Sequence, residues 1–270
     1  MWVFVKLAVA ALCGCLLLLL VVYFGQRKLI YFPDRSRVLP GQLGLPGVEE
    51  RVLKTPDGER LIAWYGKARP GEPTLLYFHG NGGGLRERAE RIRQFTGEGW
   101  GVYLMAYRGY AGSSGTPSEA ANVADARLAY GALLLEGVAP ETVIAYGESL
   151  GTNVATRIAV ERKVGGLILE APYTSIAKLG GQIYPLLPVG LLLIDRYETD
   201  KVIAQVNVPI LILHGQRDRT VPVSMGREIA SLARAPTQLA VLANAGHSNL
   251  FGDDNDALAV VREWLRTLAR

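Results

Sequence analysis

The stretch Gly147-Glu148-Ser149-Leu150-Gly151 follows an apolar run that ends at Tyr146 and precedes a helical pattern that begins near Thr152. It is a G-x-S-x-G motif in the strand–turn–helix setting that exposes a serine hydroxyl at the edge of a sheet. So tight a turn leaves no room for side chains two residues before and after the serine, which accounts for both glycines. The turn also aims the Leu150 amide at the same point, where the N-terminus of the following helix adds positive potential. The motif predicts Ser149 as a nucleophile.

Short apolar runs alternate with helical patterns on both sides of this motif. The runs predict strands at 61–65, 74–78, 102–106, 143–146, 167–169, 210–213 and 239–242, and helices at 85–98, 119–135, 154–162, 223–233 and 257–268. This alternation is typical of an α/β fold with a mostly parallel sheet and helices on both faces. Ligands of such sheets bind at the carboxyl ends of the strands. The charged helix at 85–98 is interpreted as a solvated surface helix.

Residues 173–200 interrupt the alternation. Within them, residues 183–194 are apolar, contain two prolines and are too few to span a bilayer. Two interpretations stay open: the segment packs as a buried excursion on the sheet, or it forms a lid or wall of an apolar substrate pocket.

A serine nucleophile needs a base, and the chain has three histidines. His247 lies in the loop between the last predicted strand and the last helix. His79 and His214 each precede a glycine at a strand end, where a histidine commonly hydrogen-bonds the backbone. One known order of triad residues along the chain is serine, acid, histidine. His247 is therefore the predicted base.

The acid that orients this histidine should follow a late strand. Asp218 lies five residues after the predicted strand end at Leu213, where it would hold His247 in the useful tautomer and stabilise its imidazolium. The rival aspartates lie in the excursion before that strand or after the histidine: Asp195, Asp200, Asp253 and Asp254. Asp218 is the predicted acid.

The tetrahedral intermediate of acyl transfer needs amide donors for its oxyanion. The Leu150 amide supplies one donor. The second is expected from the glycine-rich loop 80–84, with Asn81 as first choice and Gly82 as second. No phosphate-binding glycine motif is complete in this loop, and no Cys/His cluster indicates a metal, so neither a metal nor a cofactor is predicted.

The N-terminus carries an apolar stretch. Residues 7–24 contain no charged residue, and a spanning helix needs about 20 apolar residues. A cleaved signal peptide usually has a shorter apolar region that ends at small residues, and the faint lipobox around Cys13 would leave nine apolar residues after cleavage. We therefore predict a transmembrane anchor over 1–26, a linker over 27–47 and a catalytic domain over 48–270.

The net charge of +4 is concentrated beside this segment. Residues 1–40 hold five basic residues against one acidic residue, whereas residues 41–270 are balanced. A nucleic-acid-binding protein would carry its basic patch on the folded domain, so no nucleic acid partner is predicted. The basic residues that follow the N-terminal apolar stretch favour a single-pass protein with a cytoplasmic catalytic domain.

Several motifs together resemble those of the α/β-hydrolase superfamily over residues 48–270. They are His79-Gly80-Asn81-Gly82-Gly83, Tyr107-Arg108-Gly109-Tyr110, Gly147-Glu148-Ser149-Leu150-Gly151, Leu213-His214-Gly215-Gln216-Arg217-Asp218 with Val221-Pro222, and Gly246-His247. The chain looks most like small membrane-anchored members, which include protein depalmitoylases and bacterial proteins often labelled serine aminopeptidase-like. The resemblance implies a Ser149–Asp218–His247 triad.

The expected function is a serine hydrolase that cleaves carboxylic esters or thioesters with apolar acyl groups through an acyl-enzyme on Ser149. The expected partners are a small-molecule or lipid-like acyl substrate and the membrane. A serine aminopeptidase is the alternative, although no peptide-binding cap is visible in the sequence. A non-catalytic membrane-anchored scaffold is a further alternative. The sequence supports no prediction of the oligomeric state.

Overall fold

Eight strands form one sheet in the computed structural model of the protein, which describes residues 1–268 apart from the Cys15 side chain. The strands of the chain are β1 (Phe32–Pro33), β2 (Val48–Lys54), β3 (Arg60–Gly66), β4 (Thr74–Phe78), β5 (Gly82–Gly83), β6 (Gly101–Met105), β7 (Val143–Glu148), β8 (Gly166–Glu170), β9 (Ile210–Gly215) and β10 (Thr237–Leu242). The sheet has the order β10-β9-β8-β7-β4-β6-β3-β2. The six strands from β10 to β6 are parallel, and β3 and β2 are antiparallel to their neighbours.

Helices cover both faces of this sheet. The helices of the chain are α1 (Trp2–Ile30), α2 (Ala89–Glu98), α3 (Glu119–Leu135), α4 (Gly151–Glu161), α5 (Ile176–Ile183), α6 (Val189–Leu192), α7 (Val223–Leu232) and α8 (Ala257–Leu268), of which α1 extends away from the sheet. Ion pairs join helices within a layer: Glu98 of α2 binds Arg262 of α8, and Arg127 of α3 binds Glu161 of α4. The central strands are buried along their whole length, as parallel strands between two helical layers must be. The predicted fold class is confirmed.

The structure differs locally from the prediction, for example at β2 and at the helix of residues 85–98. The sequence does not predict strand β2, because its alternating charged residues hide the apolar signal of an edge strand that has only one covered side. The helix predicted over 85–98 is divided into a 3₁₀ turn, Arg86–Arg88, and α2.

Helix α1 is long and apolar enough to cross a membrane. It runs to Ile30, so the first four residues of the predicted linker are its last turn. The next residues are not free of the domain, since β1 pairs in parallel with β5 and the Phe32 amide donates to the Asn81 carbonyl at 2.9 Å. The prolines and glycines of 27–47 therefore mark a segment that packs along the glycine-rich loop, and Tyr31 is buried there.

The excursion takes neither of the two predicted arrangements over residues 183–194. It is not buried on the sheet, because Leu186 is 97% exposed and Leu191 is 88% exposed. It also contributes nothing to the lining of the cavity described below. Apolar composition predicts that a segment avoids water, but composition alone does not say what covers an apolar surface.

Alanine at Gly151 is expected to destabilise the fold. A Cβ atom there would lie 2.0 Å from the carbonyl oxygen of Phe78, where α4 begins against β4. The atoms that this Cβ would meet belong to the backbone of Phe78 and His79 and cannot move aside as a flexible side chain would, so we expect a loss of about 1–3 kcal/mol or more in the free energy of unfolding. Gly131, in α3, is the matched control: its added Cβ would meet nothing within 4 Å.

Denaturant unfolding of the full chain in detergent measures both variants. Gly131→Ala should be neutral or stabilising by up to about 1 kcal/mol, because alanine favours the helix. Equal midpoints for the two variants would contradict the packing described here.

Candidate active site

Ser149 sits on a strained turn between β7 and α4. Its φ of 49° lies in the left-handed region, which residues other than glycine rarely adopt. A Cβ at Gly147 would lie 2.5 Å from the carbonyl oxygen of Gly151, so the turn can close only with glycine at that position. The Ser149 amide donates to the Glu170 carbonyl of β8 at 2.8 Å, which ties the turn to the neighbouring strand.

The three residues of the predicted triad meet at one rim of the sheet. The Ser149 hydroxyl lies 3.0 Å from Nε2 of His247, and Nδ1 of His247 lies 2.7 Å from Oδ2 of Asp218. Ser149 follows β7, Asp218 follows β9 and His247 follows β10, so the convergence comes from the parallel order of these strands. In the tautomer that satisfies both contacts, Nδ1 donates to Asp218 and Nε2 accepts from Ser149.

The other oxygen of Asp218 fixes the carboxylate itself. Oδ1 accepts from the amides of Thr220 and Val221, both at 2.8 Å. Burial raises the pKa of Asp218, but the hydrogen bond from His247 and these amides outweigh it, so the pKa lies below its usual range. The carboxylate is therefore held in its charged form with one oxygen aimed at the imidazole.

His247 has the electrostatics of a base. Burial lowers the pKa of His247, but the hydrogen bond and charge of Asp218 outweigh burial and raise the pKa above its ordinary 6.5. A raised pKa favours proton uptake by Nε2 from a bound hydroxyl.

The two remaining histidines bind backbone inside the domain. Burial lowers the pKa of His79 to about 3, and its Nδ1 donates to the Gly80 carbonyl at 2.7 Å. Burial also lowers the pKa of His214, whose Nε2 donates to the Val221 carbonyl at 2.9 Å. Both are neutral structural histidines, as the sequence predicts.

The predicted oxyanion donors lie around Ser149. Asn81 and Gly82 line the same cavity as Ser149. Within residues 1–268, neither the Leu150 amide nor the Asn81 amide donates to a protein acceptor. The Asn81 side chain is occupied elsewhere, since its Nδ2 donates to the Ile30 carbonyl at 2.8 Å. Both amides are thus available to a ligand, and their role as oxyanion donors stays a prediction.

A buried arginine joins the glycine-rich loop to the serine turn. The Arg88 guanidinium donates to Oε1 of Glu148 at 2.6 Å and to the carbonyls of Gly82 and Gly84 at 2.7 and 3.3 Å. Glu148 also accepts from the Tyr77 hydroxyl at 2.5 Å. Burial raises the pKa of Glu148, but Arg88 outweighs it and lowers the pKa below its usual range. Arg88 therefore fixes the position of the glycine-rich loop relative to the serine turn, and these are the two parts of the chain that carry the predicted oxyanion donors.

The interpretation of the helix at 85–98 as a solvated surface helix is wrong for the face that carries Arg88 and Arg91. Arg88 and Arg91 point inward, and Arg91 binds Glu170. A signal was present in the spacing, because both arginines fall on the helix face of Ile92 and Phe95, which are buried.

A polar cavity of about 360 Å³ opens beside Ser149. Its lining residues are Tyr77, Gly80, Asn81, Gly82, Gly83, Glu87, Arg88, Arg91, Glu148, Ser149, Glu170, His247 and Ser248. The charges in this lining are mostly paired, with Arg88 on Glu148 and Arg91 on Glu170. The cavity can therefore hold polar groups of a ligand beside Ser149.

Relatives share most of the length of this chain. An uncharacterized protein of Mycobacterium tuberculosis is 38% identical over 231 residues, which cover 84% of this chain and 82% of that protein. The protein bem46 of Schizosaccharomyces pombe is 32% identical, covering 79% and 76%. The α/β-hydrolase domain-containing protein WAV2 of Arabidopsis thaliana is 31% identical, covering 73% and 72%. The chain belongs to the bem46 family of α/β-hydrolases.

Other comparisons agree with membership of this α/β-hydrolase family. A family model described as serine aminopeptidase, S33, matches residues 70–193. The Pyrococcus furiosus esterase Pf2001 superposes with a TM-score of 0.70 at 18% identity, over 89% of this chain and 98% of the esterase. A membrane phospholipase A superposes with a TM-score of 0.65 at 16% identity, over 99% of both chains. The protein is a hydrolase by family, and the resemblance seen in its motifs is confirmed.

Proposed function

We propose that this bem46-family hydrolase cleaves carboxylic esters or thioesters through an acyl-enzyme on Ser149. The observation that carries the proposal is the continuous hydrogen-bonded chain from Ser149 through His247 to Asp218, with distances of 3.0 and 2.7 Å. A serine hydroxyl becomes a competent nucleophile when a base oriented by an acid receives its proton. The intact geometry also argues against a non-catalytic scaffold.

Each residue has a definite part in the proposed reaction. Ser149 Oγ attacks the carbonyl carbon while Nε2 of His247 takes its proton. Asp218 stabilises the imidazolium, and the Leu150 amide with that of Asn81, or of Gly82, holds the oxyanion. The imidazolium then gives its proton to the leaving alcohol or thiol. A water attacks the acyl-enzyme by the same steps and frees Ser149.

The substrate class follows from the cavity and from α1. The polar, charge-paired cavity suits the leaving group. An apolar acyl chain fits a protein that α1 would hold as a single-pass membrane protein, with the catalytic domain on the cytoplasmic side. The likeness to a membrane phospholipase A over the whole chain, α1 included, is compatible with a lipid-like acyl substrate.

An aminopeptidase is the second candidate, favoured by the description of the matching family model. A peptidase of this kind needs a free carboxylate for the substrate's amino group. The cavity carboxylates of Glu148 and Glu170 are already bound by Arg88 and Arg91, and that of Glu87 accepts from the Gly84 amide at 2.6 Å. Ester and thioester hydrolysis is therefore the better-supported function.

The test uses the full chain in detergent, a fluorophosphonate probe and a substrate panel. We expect the probe on the peptide that contains Ser149. We also expect turnover of p-nitrophenyl esters and acyl thioesters of graded chain length, and none of amino-acid anilides. Probe attachment at another residue would contradict the nucleophile assignment, and cleavage of anilides alone would establish the peptidase instead.

A further inference from the structure

Residues 183–194 expose an apolar surface, hereafter the apolar segment. It contains no charged residue. Besides Leu186 and Leu191, its residues Ile183, Tyr184 and Ile194 are each more than half exposed. Contiguous apolar surface of this kind marks a site of interaction with a partner or a membrane.

The apolar segment is attached to the end of α1. Gln26 donates to the Leu192 carbonyl at 3.1 Å, and the Ile194 amide donates back to Oε1 of Gln26 at 2.7 Å. Immediately after the segment, Asp195 pairs with Arg27 at 3.0 Å and accepts from the Tyr31 hydroxyl at 3.1 Å. The C-terminal end of the segment is therefore held at the level of residues 26–27 of α1.

That level is where the composition of α1 changes. Residues 7–26 carry no charge, and the exposed Phe24 lies two residues before Gln26, where the attachment begins. Arg27 and Lys28 follow at once, and the exposed Arg196 follows the apolar segment. In a helix that spans a bilayer, such a change marks the boundary between acyl chains and headgroups, where basic side chains favour anionic lipids.

We infer that the apolar segment inserts into the leaflet from which α1 emerges. Leu186 and Leu191 enter the boundary between headgroups and acyl chains, at a depth of about 5–10 Å typical of interfacial segments. The inference rests on the proposed membrane anchor and goes beyond it, because it makes the domain a second point of contact with the lipid.

The contact bears on the proposed reaction. The apolar segment follows β8, whose end also supports the serine turn, and the Tyr173 hydroxyl between them donates to the Leu150 carbonyl at 3.1 Å. Insertion would hold the rim that carries Ser149 toward the bilayer. An acyl substrate could then pass from lipid to the site with a short path through water.

The test measures where single side chains lie in vesicles that contain anionic lipid. In the full chain with Cys13→Ser and Cys15→Ser, a fluorophore is attached to Leu186→Cys or Leu191→Cys. Leu135→Cys is the matched control: Leu135 is 91% exposed and ends α3, about 25 Å along that helix from Glu119, whose backbone amide donates to Asp195. Leu17→Cys, within α1, reports on the anchor.

We expect quenching by aqueous iodide to be several-fold weaker at positions 186 and 191 than at 135, and quenching by lipid-borne nitroxide to be several-fold stronger. Equal quenching at 186, 191 and 135 would overturn the inference. If the fluorophore at position 17 is nevertheless quenched by the lipid-borne nitroxide, the proposal that α1 is a membrane anchor is retained. Shielding of 186 and 191 from iodide without nitroxide quenching would indicate a protein contact and would also overturn it.

A second measurement links insertion to activity. The double variant Leu186→Glu with Leu191→Glu should hydrolyse a long-chain ester presented in vesicles roughly tenfold more slowly, because charge opposes insertion. Its rate on a short soluble ester should match that of Leu135→Glu. An equal loss on both substrates would contradict a membrane role. Lipid insertion in a protein that hydrolyses no ester would instead remove the proposed function and leave the inference standing.

Discussion

Ser149→Ala is expected to lower kcat on esters by about 10⁶-fold, the size of the loss when a triad nucleophile is removed. The alanine keeps the strained turn but has no oxygen to attack the carbonyl or to receive the acyl group. Oxyanion donors and substrate binding should leave a small residual rate above that of water. Steady-state kinetics and a fluorophosphonate label measure the two consequences.

Ser248→Ala is the matched control for this prediction. Ser248 lines the same cavity and follows His247 directly, yet it makes no contact within the hydrogen-bonded chain. We expect near-normal turnover and normal labelling in this variant. Retained turnover in Ser149→Ala, or an equal loss in both variants, would contradict a nucleophilic Ser149.

Asp218→Asn should lower kcat by about 10⁴-fold, as the equivalent change does in another triad enzyme. The amide can keep the contacts of Oδ1 with Thr220 and Val221. Its NH₂ group then faces Nδ1 of His247, which forces the proton onto Nε2. In that tautomer the imidazole cannot accept the proton of Ser149.

The same variant should move the pH dependence of kcat/KM. Activity needs neutral His247, so it rises as pH passes upward through the pKa of that residue. Since Asp218 raises this pKa above 6.5, the acidic limb of the wild type should have its midpoint above pH 6.5. Without the negative charge burial dominates, so the midpoint of the variant should fall to lower pH.

Asp253→Asn controls for the loss of a carboxylate in the same region, because Asp253 is exposed and lies after the histidine. It should leave both kcat and the acidic limb unchanged. Wild-type turnover in Asp218→Asn, or a limb that shifts upward, would remove Asp218 from the proposed role.

Local sequence was a good guide where local sterics decide the structure. The glycines at 147 and 151 predict the serine turn because backbone lies where their Cβ atoms would be. The meeting of Ser149, Asp218 and His247 could be predicted for a related reason: side chains that follow parallel strands emerge at one rim. Chain order then selected His247 and Asp218 from the available histidines and aspartates.

The charged neighbours of the site were harder to predict. The sequence predicts that Arg88 and Arg91 face solvent, because isolated charged side chains avoid the protein interior. They are buried because Glu148 and Glu170, more than 50 residues later in the chain, neutralise them. Pairing over such a distance depends on strand order, which the hydrophobic pattern of a single helix does not report.

Periodicity, sterics and position along the chain were enough to predict the α/β fold, the serine turn and the chain order of the three side chains that meet at the rim. Three features become visible only in the folded chain: the segment after α1 pairs with the glycine-rich loop, Arg88 joins this loop to the serine turn, and residues 183–194 remain exposed beside α1. An apolar or charged pattern records whether a side chain favours water, whereas the surface that meets it is chosen by contacts between distant parts of the chain.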